Sequence, residues 1–169
     1  GVRLVNEDLA RTLESIAAGG PGVFYEGPVG RAIVAEVKSR GGLLDEADLA
    51  GYRAIERVPL CFDYRHWRLC GMPPPSSGTL AVGQMLGMLD GRELAAMRPR
   101  PAPWGLEPSP EAVHLFSEAG RLAFADRARF VADPDFVALP GVGASTLLDA
   151  RYLRERGARI GPRSMGRAE

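Results

Sequence analysis

Ser76 and Ser77 follow three prolines and precede Gly78, a setting in which a hydroxyl could be held on a tight turn as a nucleophile. A serine attacks only beside a base that a third group orients. The chain offers two imidazoles for that work, His66 and His114. Its serine run does not read Gly-x-Ser-x-Gly, and no Ser-x-x-Lys occurs. Hydroxyls ahead of a helix more often cap its free amides, and capping is the reading favoured here. Asp133 and Asp135 could share a metal through oxygens, but two carboxylates around Pro134 fall well short of a calcium loop and suit a turn better. Gly141-Val142-Gly143 opens like a phosphate loop, yet neither a third glycine nor a Lys-Ser/Thr pair follows at the required spacing.

Cys61 and Cys70 lack the second cysteine pair of a zinc site. They are either a cross-strand disulfide or, as buried cysteines commonly are, two free thiols. His114, Glu118 and Arg121 at i, i+4 and i+7 share a helical face. They form either a polar site with Arg121 as a carboxylate clamp or a salt-bridged stripe, and the stripe is favoured. Asp126 and Arg127, on adjacent faces, tie the same helix to its surroundings. No catalytic residue and no metal ligand is assigned, and the substrate-binding residues are unknown.

Composition narrows the classes. The 169 residues are 46% hydrophobic and 25% charged, which is ordinary globular content. Lys plus Arg and Asp plus Glu balance at 21 each, so no net field draws nucleic acid or anionic lipid. No apolar run is long enough to span a membrane. Gly1-Val2-Arg3 reads as the interior of a longer chain, with no leader, so localisation is not legible in this segment.

The elements that must position these groups are mostly helices. Asn6 caps a helix carrying Leu9, Leu13, Ile16 and Ala17 on one face, ended by Gly19-Gly20. Pro28 opens a second, with Val29, Ile33 and Val37 aligned, and Asp45 with Asp48 caps a short third. Arg57 to Tyr64 and Trp67 to Met72 read as a β-hairpin turning at Arg65-His66. That turn sets Tyr64 opposite Trp67, Phe62 opposite Leu69, Asp63 opposite Arg68 and Cys61 opposite Cys70. Ser76-Ser77 precede a helix from about Thr79 to Leu89, and Met97 to Ser109 is a Pro-rich connection. The longest helix runs from Glu111 to about Val131, with Val113, Phe116, Gly120, Ala123 and Phe124 as its apolar side. Ser145 caps a last helix through Arg156, and 161–169 is a loose polar tail.

Read in order, these segments resemble the C-terminal part of the large subunit of the γ-glutamyltransferases, also called glutathione hydrolases. The resemblance is carried by Asn6-Glu7-Asp8-Leu9-Ala10, Phe24-Tyr25-Glu26-Gly27, Gly41-Gly42-Leu43-Leu44 and Asp48-Leu49-Ala50-Gly51-Tyr52. It continues through Asp63-Tyr64-Arg65, Met72-Pro73-Pro74-Pro75-Ser76-Ser77-Gly78, Glu118-Ala119, Ala125-Asp126-Arg127, Asp133-Pro134-Asp135-Phe136-Val137 and Arg151-Tyr152-Leu153. Thr79 and His66 stand where the family usually has glycines.

The resemblance implies an α+β chain, mostly helical with one hairpin, that belongs to a four-layer αββα N-terminal-nucleophile hydrolase. It implies a precursor that cuts itself, whose new N-terminal threonine attacks a γ-glutamyl amide with its own amine as base. No cofactor is implied. That nucleophile and the oxyanion glycines would lie beyond Glu169, and the carboxylate-binding arginine upstream of Gly1. Residues 1–160 would be the large-subunit segment and 161–169 a flexible tail toward the cleavage site. The implied partners are the small subunit and a γ-glutamyl substrate, in the periplasm or outside the cell; the unpaired outer edges of a lone hairpin add self-association of the fragment. Alternatives are an acylase or amidohydrolase of the same fold, acting on β-lactam side chains, poly-γ-glutamate or oxamate, and a non-catalytic helical binding module.

Overall fold

The computed structural model describes residues 2–168; Gly1 and Glu169, the outer limits of the two spans expected above, lie outside the described residues. The chain divides into two compact units, Gly1–Glu56 and Arg57–Glu169.

The first unit is helical. Helix α1, Glu7–Gly19, starts where the Asn6 side chain accepts from the Leu9 amide, and Gly20 at φ 74° ends it. A four-residue helix not foreseen, α2 (Gly22–Tyr25), precedes α3 (Pro28–Ser39) and α4 (Glu46–Gly51). Asp45 and Asp48 each accept the other's amide at 2.9 Å, the capping box expected of α4. Helix α3 comes so close to α2 that a Cβ on Gly30 would lie 2.4 Å from the Phe24 carbonyl oxygen. The burial differs from expectation. Val34 is the buried apolar residue here, Val29, Ile33 and Val37 are half-covered, and Leu9 and Leu13 stay exposed. A face made by periodicity needs a neighbour to bury it, and α1 has no buried residue at all.

The second unit opens with the hairpin β1 (Leu60–Tyr64) and β2 (Trp67–Gly71). Its register matches the derived one at every pair, Cys61 opposite Cys70 included. The positive φ of the two-residue turn falls on Arg65, at 54°, rather than on His66. Cys61 and Cys70 are joined as a disulfide, with Cα atoms 4.1 Å apart, which corrects the free-thiol reading. Helix α5 (Gly78–Leu89) packs on this hairpin, and Gly83 admits the Phe62 ring: a Cβ there would stand 3.0 Å from it.

A second hairpin, β3 (Arg100–Ala102) with β4 (Gly105–Glu107), corrects the expectation of a single one. Its pairing rests on Gly105 at φ 130° and the Arg100–Glu107 ion pair at 2.9 Å, too little pattern for three-residue strands to announce themselves. Helix α6 (Pro110–Phe130) is capped by Ser109, and α7 (Ala150–Gly157) by Asp149, whose carboxylate accepts from the Arg151 and Tyr152 amides. Ser145, expected to cap the last helix, sits inside a 3₁₀ turn, Ala144–Leu148.

The core of this unit is α5 against α6 and α7, around Met88, Ala119, Leu122 and Leu153. It turns α6 away from the expected side. Of the expected side Ala123 is buried, beside Leu115, Ala119 and Leu122, whereas Val113, Phe116 and Phe124 are 48%, 65% and 59% exposed. The reason is that α6 is apolar around much of its circumference, and small alanines let α5 approach more closely than the phenylalanines would. Architecture is therefore mixed: helices with two small antiparallel hairpins.

Candidate functional site

The buried face of α6 carries two carboxylates, Glu118 and Asp126, 1% and 3% exposed. An ionised carboxylate survives such burial only if donors surround it. Asp126 is reached from three directions. Gln84 of α5 donates to its Oδ2 at 2.8 Å, the Tyr152 hydroxyl of α7 donates to the same oxygen at 2.7 Å, and Arg156 pairs with Oδ1 at 2.7 Å. Burial, then the bond to Asp126, pushes the Tyr152 phenol up to about 12, so it remains a donor across the physiological range. This network joins α5, α6 and α7 through one carboxylate.

Glu118 lies on the same helix, eight residues earlier. It accepts from the Met165 amide at 2.8 Å and the Ser164 hydroxyl at 3.1 Å, and it pairs with Arg121. Arg121 also donates to Ser164 Oγ at 2.8 Å. The Met165 amide foremost, then Ser164 and Arg121, hold the Glu118 carboxyl below its ordinary 4.5, against the opposing effect of desolvation. One turn back, His114 Nε2 donates to the Gly161 carbonyl at 2.8 Å. The expected stripe of His114, Glu118 and Arg121 exists, and its neighbouring element is the segment from Gly161 on. Its described residues, 161–168, contain no helix or strand yet lie against α6 through these bonds, and Met165 and Ala168 pack on the core.

The remaining candidates are occupied in the same way. Ser77 sits at the start of α5 without capping it; its hydroxyl instead accepts from Arg127 Nε at 2.8 Å. That corrects the capping role, and the reason is the proximity of α6, which the local sequence does not encode. His66 packs its ring on Trp67, ring centres 4.8 Å apart. Neither imidazole is placed as a base for Ser77. Asp135 takes Arg57 in a forked pair, 2.5 Å from Nη2, and Asp133 accepts from the Asp135 amide, so this pair forms a turn. The arginine hydrogen bond lowers the Asp135 carboxyl below 3.8. Between Gly141 and Gly143 the amide of Val142 is spent on Thr146 Oγ1, leaving no phosphate cradle. Among the described residues no group of three or more His, Cys, Asp or Glu converges as metal ligands. The hairpin, α5 and α7 enclose an open cleft of about 370 Å³ with Asp63, Arg65, Asp90 and Arg154 on its walls.

Sequence reasoning missed Gln84, Tyr152, Arg156, Ser164 and Met165. Gln84 had a signal, as the one amide side chain in an otherwise apolar helix. Tyr152 and Arg156 had a weaker one in their i, i+4 spacing. Ser164 and Met165 had none, since an irregular tail has no period.

The arrangement can stabilise and position; no described cluster couples a nucleophile to a base. A family model described as gamma-glutamyltranspeptidase matches residues 1–169. The Acylase ACY 1 proenzyme of Pseudomonas sp. (strain SE83) is 43% identical over 160 residues, covering 95% of this chain and 27% of its own length. The glutathione hydrolase proenzyme of Escherichia coli (strain K12) is 39% identical over 140 residues, covering 83% of this chain and 23% of its own. Among solved structures, the gamma-glutamyltranspeptidase from Pseudomonas nitroreducens complexed with L-DON matches with a TM-score of 0.67 at 33% identity, over 98% of this chain and 47% of that one. The cephalosporin acylase from Bacillus halodurans matches with a TM-score of 0.62 at 31% identity, over 90% and 26%. The chain belongs to the gamma-glutamyltranspeptidase family, a family of enzymes. It spans about a quarter of the length of these curated relatives.

Proposed function

We propose that this chain is a scaffold segment, the C-terminal part of the large subunit, of an enzyme that transfers or hydrolyses the γ-glutamyl group of glutathione and related amides. The observation that carries this is a family match along the whole chain in which the buried carboxylates Asp126 and Glu118 and the Ser77 hydroxyl are committed to internal bonds. In the complete protein the segment supplies outer helices and the β1–β2 hairpin to an αββα N-terminal-nucleophile fold. An N-terminal threonine on the small subunit, freed by self-cleavage of the precursor, attacks the amide, and its own amine takes the proton. Water or an acceptor amine then receives the γ-glutamyl group. The periplasm or the exterior is the proposed location, which suits a disulfide.

A second reading, an acylase acting on a β-lactam side chain, is supported by the 43% identity to the ACY 1 proenzyme and by the likeness to cephalosporin acylase. Both readings make the isolated chain inert. The purified chain should release no product from a γ-glutamyl anilide, whereas the matured full-length protein should. Turnover by the chain alone that persists after Ser76→Ala and Ser77→Ala would overturn the scaffold role. Preferential turnover of an acyl-cephalosporin by the full-length protein would select the second reading.

A further inference from the structure

The two buried carboxylates of α6 are neutralised in different ways. Asp126 takes its donors from neighbouring helices, as a residue that holds a core together should. Glu118 takes two of its three donors, the Ser164 hydroxyl and the Met165 amide, from a segment with no secondary structure. A buried carboxylate is unfavourable unless donors surround it, so a position that relies on a tail for its donors is informative about the tail. Without Glu118 the Met165 amide would lose its acceptor. Without the tail Glu118 would keep only Arg121 of these three donors.

The hold is made at two points along one stripe of the helix. His114 fixes the Gly161 carbonyl, and Glu118 fixes Ser164 and Met165 one turn further on. Between them Arg163 lies exposed; beyond them Gly166 turns the chain at φ 67°, and its amide bonds back to Ser164 Oγ at 3.2 Å. The backbone leaves this stripe just past the Ser164 and Met165 bonds to Glu118.

We infer that Glu118 is a positioning residue: it latches segment 161–168 onto α6 and so sets where the chain runs on toward the self-cleavage site, a role that rests on the large-subunit reading above. The latch lowers the freedom of the approach to the scissile bond without touching it. Misplacing a reacting group by about 1 Å can cost on the order of a hundredfold in rate, so loosening this approach should be visible in the rate of self-cleavage.

The test uses the full-length precursor with Glu118→Gln, which keeps the volume but removes the charge, and Ser164→Ala, which leaves α6 intact. Two quantities are followed: brief trypsin cutting after Arg163 and Arg167, and the half-time of self-cleavage. Both variants should be cut about tenfold faster at those arginines, because cutting there follows local opening. Self-cleavage should slow by about tenfold or more, within the range that misplacement produces, at an unchanged melting temperature for Ser164→Ala. Trypsin cutting at the wild-type rate in both variants would overturn the latch. Faster cutting with unaltered self-cleavage would overturn the positioning role. If the unmodified precursor never cleaves, the large-subunit reading falls with the positioning role, and the trypsin arm alone decides whether Glu118 holds the tail.

Discussion

Asp126 is the residue through which α5, α6 and α7 share one polar network. Its carboxylate accepts from Gln84 and Tyr152 and pairs with Arg156, and all of these groups are removed from bulk water to different degrees. Truncating it would remove the ion-pair partner of the partly buried Arg156 guanidinium and the acceptor of the buried Gln84 amide, and breaking one side of a buried ion pair costs about 3–5 kcal/mol. Asp126→Ala should therefore lower the unfolding free energy by about that much. Tyr152→Phe removes one hydrogen bond and leaves the ion pair, so about 0.5–1.5 kcal/mol is expected. Urea unfolding of the two variants measures both losses. Equal losses would mean that the phenol, and not the guanidinium, dominates the network.

At the scale of elements, close approach governs the packing of α5. A Cβ on Gly157 would lie 2.6 Å from the Met88 carbonyl oxygen, a backbone atom that cannot step aside, so α7 ends where only glycine fits. The hairpin is held differently. Neither of its strands is deeply buried, and Trp67 is 62% exposed, so burial contributes less to β1–β2 than its apolar composition suggests. The disulfide across the cysteine pair closes a loop with a sequence separation of 9. A loop of that length removes unfolded-state entropy worth about 2–3 kcal/mol. Reduction by a dithiol should lower stability by that amount and add the mass of two hydrogens. Calorimetry with and without reductant, paired with mass measurement under non-reducing conditions, checks both. No change in melting temperature on reduction would mean that α5 alone holds the hairpin.

On the scale of the whole molecule, the chain exposes large apolar side chains on several elements. Phe116 and Phe124 on α6, Trp104 in the second hairpin, and Leu9 and Leu13 on α1 are all more than half exposed. The strands β1 and β2 pair only with each other among the described residues, so their outer backbone edges are open. Open edges and apolar patches are the features through which isolated domains associate. The isolated chain should accordingly sediment as more than a monomer at micromolar concentration. A clean monomer whose strand-edge amides resist exchange would show that Arg57–Glu169 is complete without further strands. No helix among the described residues is long and apolar enough to cross a membrane.

The sequence alone determined the features that depend on neighbours a few positions apart. The capping box at Asp45, the proline start of α3, the glycine stop of α1 and the register of β1 on β2 follow from spacing and backbone chemistry, and each stands in the structure. The ordered motifs also carried the family, because they run collinearly through the chain. Tertiary structure decided which face of α6 turns inward, since periodicity defines a stripe only where one side is plainly polar. It decided that Ser77 meets Arg127 rather than its own helix, and that His114, Glu118 and Arg121 face a tail with no pattern of its own. Such contacts join residues about 50 positions apart, and no local propensity records them.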